Sequence, residues 1–218
     1  MSGIDKSNVS AILPLLPLQE GMLFHHIAEP DSQLYFEQIR LNISGVLDTR
    51  TLQSAWDKVV MNNDALRTVF RWKGIDNPVQ VVLKKRELNV DVYDSTLDHP
   101  SLLSTLRSPN NICLESTPIQ LSVLKHSESS YTIILCFHHI ILDGWSSALL
   151  LKSLLDVYKT PDATMPLTAS TSEIVEGWKK TDSDKATTWW REAVTSAEVN
   201  RPLPRSTELT DESKAVQI

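Results

Sequence analysis

A chain of 218 residues is long enough to bury a sizeable core, and 41% hydrophobic with 22% charged residues excludes wholesale disorder. A formal net charge of -6 and a pI near 5.5 supply no positive field for nucleic acid or for an anionic membrane, so neither is expected as a partner. No apolar run approaches the roughly 18 residues of a membrane helix, and Ala11 to Leu18 is interrupted by Pro14 and Pro17.

Residues 1–12 are polar and read as a lead-in or linker. They hold no basic segment leading into an apolar one, so no secretory signal is expected. Cys113 and Cys136 are then expected as free thiols in a reducing compartment, the cytoplasm. From Pro14 onward Leu18, Met22, Leu23 and Ile27 recur at helical spacing. Ile39, Leu41 and Ile43 alternate with Arg40, Asn42 and Ser44, the pattern of a half-buried strand. Asp48 is placed to cap a helix whose buried stripe is Leu52, Ala55, Trp56, Val59 and Val60, closed by Asn62 and Asn63. Ala65 to Trp72 predicts a strand, the turn over Gly74 to Pro78 follows, and Val79 to Leu83 is its hairpin partner. Val90 to Tyr93 predicts a short strand, Asp98 to Arg107 a helix, and Pro118 to Leu124 a further strand. Residues 159–172, with Pro161 and Pro166, read as a linker. Ser172 to Lys180 and Asp184 to Ala197 read as helices, and the polar tail from Pro202 is expected to be disordered in isolation. Helices interspersed with strands predict an α/β or α+β layered sandwich.

The most informative stretch is 130–147. Tyr131 to Phe137 is almost continuously apolar and β-prone, as in a strand covered on both faces. Leu151, Leu154, Leu155 and Tyr158 then mark one stripe of a helix. His138, His139, Asp143 and Gly144 therefore lie at a strand-to-helix junction. Residue by residue, a structural reading is open: Asp143 as a helix cap, His138 as a satisfied histidine at a sheet edge, Gly144 as a turn glycine. The His-His-x-x-x-Asp spacing does not match the common zinc motifs, so no metal is expected. Cys136, inside the strand, is a poor nucleophile because burial raises a thiol's pKa.

The whole string His138-His139-Ile140-Ile141-Leu142-Asp143-Gly144 resembles the His-His-x-x-x-Asp-Gly signature of condensation domains from nonribosomal peptide synthetases, in the superfamily that includes chloramphenicol acetyltransferase. Two more stretches agree in order: Leu13 to His25, which contains Leu18-Gln19-Glu20-Gly21-Met22-Leu23-Phe24-His25, and Asp64-Ala65-Leu66-Arg67-Thr68-Val69-Phe70. Trp145-Ser146 after the glycine is also typical. The second stretch departs from the family by carrying Asn62 and Asn63 where an arginine and a histidine are usual, which leaves Arg67 as the expected cation partner of Asp143.

The resemblance implies a chloramphenicol acetyltransferase-like lobe, a mixed β-sheet flanked by helices. It would occupy 13–160, followed by a linker and helix over 161–183 and the start of a second, truncated lobe over 184–218, so that the chain is about half of a two-lobed domain. It implies amide formation between carrier-bound substrates, with His139 as the active histidine. His138, Asp143, Gly144 and Arg67 would support the site, the Gly144 N–H would be a candidate oxyanion donor, and Trp145 and Ser146 are possible substrate contacts. No cofactor is expected on this chain. Substrates would arrive on phosphopantetheine arms of donor and acceptor peptidyl carrier domains, with an adenylation domain and the second lobe as further partners. Two other readings are a non-catalytic module that docks such partners, and a free acyltransferase using a diffusible thioester such as acetyl-CoA.

Overall fold

The computed structural model describes residues 4–94, 99–162, 164–166, 168–181 and 183–196. They contain seven strands, β1 (Val9–Pro14), β2 (Phe36–Ser44), β3 (Thr68–Arg71), β4 (Val79–Leu83), β5 (Val90–Asp94), β6 (Ile119–Ser127) and β7 (Ser130–His138). The helices are α1 (Pro17–Ala28), α2 (Thr49–Asn62), α3 (His99–Arg107), α4 (Gly144–Lys159), α5 (Thr171–Lys179) and α6 (Ser183–Ser196). The described residues up to Lys179 form one compact unit. The remainder forms a second, in which only α6 and its immediate approach are described; there Trp189 and Trp190 are exposed and meet edge to face. Asp98, Ala197 and the tail from Pro202 lie outside the described residues.

The first unit is built on two sheets. One is four-stranded in the order β2-β7-β6-β5, antiparallel except for the parallel β5–β6 pair. The other is three-stranded, β1-β4-β3, all antiparallel. β7 is buried on both faces because helices cover both. Tyr131, Ile133, Leu135 and Phe137 point into a core with Leu52, Trp56 and Val59 of α2 and Leu150, Leu151 and Leu154 of α4. Ile134 and Cys136 point the other way, into a core with Leu106 of α3 and Ile112. A third core lies at the smaller sheet, where Leu15, Leu23, Phe70 and Leu114 pack with Ile140.

α2 forms as its sequence indicates. The Asp48 carboxylate accepts from the Arg50 and Thr51 amides at 2.9 and 3.1 Å, which satisfies two N-terminal donors, and Asn63 closes the helix by donating to the Val59 carbonyl. Three expectations are corrected. Residues 9–12 are not lead-in: they are part of β1, paired along β4. The run Ala65 to Trp72 is not strand throughout, because Asp64–Arg67 forms a 3-10 turn before β3. The segment read as a linker is tied down, with the Pro161 and Pro166 carbonyls accepting from Lys58 and Asn62 and the Thr171 amide donating to Asp64.

Gly45, between β2 and α2, has φ 110° and donates its amide to the Ser129 carbonyl. L side chains rarely adopt that backbone. Gly45→Ala is therefore expected to destabilise the fold by about 1–3 kcal/mol, read as a lowered urea midpoint at unchanged slope.

Candidate active site

The register of β7 decides where its histidines go. β2 runs antiparallel beside it with Phe36 opposite His138 and Glu37 opposite Phe137. Successive side chains leave a strand on opposite faces, so His138 turns to the α3 side and His139 to the α2–α4 side. His138 is 0% exposed and sits among Phe36, His26 and Tyr35, with ring centroids 4.9 to 6.0 Å away. Its Nδ1 accepts from the Ile140 amide at 3.1 Å, so in the neutral ring Nε2 carries the proton; Nε2 is buried without a partner. Burial, with lesser contributions from His26 and His139, pushes its pKa down to about 3, so it is neutral at physiological pH. Its ring is packed into the turn and tied to it by the Ile140 amide.

His139 is partly exposed and differently wired. Its Nδ1 lies 2.9 Å from the Leu142 carbonyl oxygen. A carbonyl can only accept, so Nδ1 carries the hydrogen, and in the neutral ring Nε2 presents a lone pair. Nε2 lies 3.6 Å from Glu37 Oε1. The His139 amide donates to the Tyr35 carbonyl at 2.8 Å, and Tyr35 is held at φ 68°, in the left-handed region. From the other side Gln19 braces the turn. Its amide nitrogen donates to the Ile140 carbonyl at 3.1 Å while its oxygen accepts from the Leu16 amide, joining the start of α1 to the site. Gln80 extends the brace by donating to the Pro14 carbonyl. The turn is thus clamped between the two sheets, with Ile140 and Ile141 packed into the third core.

Asp143 and Arg67 do not meet as expected. The Asp143 carboxylate caps α4, accepting from the Ser146 amide at 2.7 Å, and that bond holds its pKa below the usual carboxylate value. Arg67 pairs with Asp64 at 2.7 Å and donates to the Leu83 and Lys84 carbonyls. The capping alternative for Asp143 is the one observed, because a carboxylate one residue before a helix finds amide donors locally. Gly144 has no positive φ; its Cα faces open space, and a Cβ there would meet no atom within 4 Å. Trp145 is 84% exposed, and Leu149 is exposed one turn further along α4. Ser146 is partly exposed.

A family model described as "Condensation domain" matches residues 9–217. The chain belongs to the condensation-domain family. Surfactin synthase subunit 3 of Bacillus subtilis is 29% identical over 204 residues, covering 88% of this chain and 16% of that protein. Bacitracin synthase 3 of Bacillus licheniformis is 28% identical over 207 residues, covering 89% of this chain and 3% of its own length. Among solved structures, the starter condensation domain of rhizomide synthetase superimposes with a TM-score of 0.72 at 18% identity, covering 88% of this chain and 52% of that one. The condensation domain of monacolin K polyketide synthase gives 0.72 at 17% identity, over 85% and 43%. This condensation-family chain therefore shares the mixed-sheet, helix-flanked fold and spans about half the length of those solved chains.

Two residues of this condensation-family site were not assigned roles from sequence. Gln19 sits within a matched stretch, but its bonds cross to residues 61 and 121 positions away. Glu37 had a legible signal. It has the same parity as Ile39, Leu41 and Ile43, which puts a charge in line with an apolar stripe. Among the described residues no cluster of three or more His, Cys, Asp or Glu side chains is placed to hold a metal ion. No described helix is long and apolar enough to cross a membrane. Cys113 and Cys136 are free, and burial pushes the Cys136 thiol up.

Proposed function

We propose that this chain carries the histidine half of a condensation site that joins a donor acyl or peptidyl thioester to the amine of an acceptor aminoacyl thioester. In this reaction the acceptor nitrogen attacks the donor carbonyl carbon, the C–S bond breaks, and the amide forms on the acceptor while the donor thiol is released. A proton must leave the nitrogen and one must reach the departing sulfur. His139 Nε2 takes the first and returns it to the second, so no acyl-enzyme is formed. The observation that carries this reading is the His139 ring itself, with Nδ1 engaged by Leu142 and Nε2 left on a partly exposed surface. The Gly144 N–H, at the first helical position and without an acceptor inside α4, is the candidate donor to the tetrahedral oxyanion. Open space at Gly144 and the exposed Trp145 supply the approach for substrate, with Ser146 beside them.

The same reading assigns the partners. The substrates ride on phosphopantetheine arms of donor and acceptor carrier domains, loaded by an adenylation domain, and a second lobe supplies the facing wall of the cleft. The exposed apolar residues Leu18, Phe24 and Ile27 of α1 suit such a wall. The free thiols suit a cytoplasmic setting. The test uses the full-length protein that contains this chain, mixed with loaded donor and acceptor carriers. Dipeptidyl thioester on the acceptor, detected by mass spectrometry of the intact carrier, is the expected result. Carrier binding without product would instead support the docking module, and product from a diffusible acyl-CoA alone would support the free acyltransferase.

A further inference from the structure

We propose that Glu37 and His139 together form a two-point seat for the ammonium form of the acceptor's α-amino group. The inference rests on the condensation reading above and adds the residue that captures the nucleophile before it is deprotonated.

The chemistry of the two facing atoms leads to it. With Nδ1 donating to Leu142, the neutral His139 ring offers only a lone pair at Nε2, and the Glu37 carboxylate offers only acceptors. They stand 3.6 Å apart with the side chains 30% and 46% exposed. Two acceptors side by side need a donor with at least two hydrogens to bridge them. A single nitrogen can lie about 2.9 Å from both. An acceptor α-amine has a pKa of about 7.7–8.0, so at neutral pH it arrives mostly as an ammonium, which carries three hydrogens and a positive charge. It cannot attack a carbonyl in that form.

The fold does not otherwise account for Glu37. Among the described residues no lysine or arginine lies within 4 Å of its carboxylate; the group that faces it is the His139 ring. A pair this exposed contributes little to stability. Yet Glu37 occupies the inward parity of β2, and the β2–β7 register together with the Tyr35–His139 backbone bond holds it beside the ring. In the proposed sequence the ammonium binds Glu37 and hands one proton to Nε2. The freed lone pair attacks the donor carbonyl, and Glu37 remains a carboxylate beside the imidazolium. The imidazolium then protonates the departing thiolate as the C–S bond breaks, and the second proton that the nitrogen loses on becoming an amide passes to solvent, so one net proton is released for each ammonium consumed.

The test uses the full-length protein, with the donor on a loaded carrier and the acceptor supplied as a soluble aminoacyl N-acetylcysteamine thioester, and rates read by mass spectrometry. Glu37→Gln keeps the shape and removes the charge. It is expected to raise the acceptor KM about tenfold or more while the donor KM stays within about twofold, as expected for loss of a charge-assisted hydrogen bond. Glu37→Asp restores part of the loss. Unchanged acceptor KM, or donor and acceptor constants rising together, overturns the inference while wild-type turnover leaves the condensation reading standing. Wild-type protein that binds carriers but forms no product overturns that reading, and this inference with it.

Discussion

His139→Ala is expected to slow dipeptidyl thioester formation by about 10²- to 10⁴-fold, the usual contribution of a positioned acid–base group. Donor and acceptor should still load and still bind, because the ring is one contact among many and the flanking helices are unaffected. The residual rate would come from holding two tethered thioesters in register, which by itself can contribute a large effective molarity. The measurement is the time course of product mass on the acceptor carrier in the full-length protein. His138→Asn provides the contrast. That side chain faces the α3 core, away from substrate, so its replacement should leave the rate within a few-fold of wild type once folded protein is counted. Equal product from wild type and His139→Ala would remove His139 from the mechanism. A loss as large from His138→Asn would mean that the two faces of β7 have been assigned the wrong way round.

The second large effect is on stability and belongs to His138. Its folded-state pKa of about 3 lies below the value of 6.5 for an exposed imidazole. Between those limits the unfolded chain binds a proton that the native chain does not, so stability rises with pH across this window and falls as pH drops. Above about pH 6.5 both states are neutral at this residue and the contribution is flat. Each pH unit inside the window costs about 1.4 kcal/mol, which amounts to about 4–5 kcal/mol over the whole of it, a large share of a domain's stability. His138→Asn can keep an acceptor for the Ile140 amide and cannot titrate. Urea unfolding of wild type and variant at pH 7.5, 6.0, 5.0 and 4.5 should therefore diverge, with the wild-type slope steeper by about 1.4 kcal/mol per unit. Carboxylates titrate alike in both proteins and cancel. Parallel curves would show that the buried ring is already accommodated in its charged form.

Much of the fold was legible because burial leaves a periodic trace in the chain. The stripe of Leu52, Ala55, Trp56, Val59 and Val60 became the buried face of α2, and the unbroken run Tyr131 to Phe137 became a strand covered on both sides. The Asp48 cap was equally visible, since capping spends its hydrogen bonds within three residues. β1 was missed because its apolar residues do not alternate with polar ones: Ala11, Ile12 and Leu13 are consecutive and Ile12 stays exposed, so no two-residue period marks the strand. Residues 65–67 were read into β3 because Leu66 carries the right parity, and a 3-10 turn buries it as well as a strand would.

The motif around His138 and His139 shows the division most plainly. By itself the sequence determined that two adjacent histidines end a buried strand, that they must leave it on opposite faces, and that an aspartate four residues beyond His139 precedes a helix. Those conclusions follow from the two-residue period of a strand and the unsatisfied amides of a helix start, both local properties. Tertiary structure alone decided that Asp143 caps α4 rather than pairing with Arg67, that Gln19 braces the turn from α1, and that Glu37 stands beside His139. These depend on which strands neighbour one another and in what register. Pairing is set by the packing of segments a hundred residues apart, and residue spacing along the chain carries no record of it.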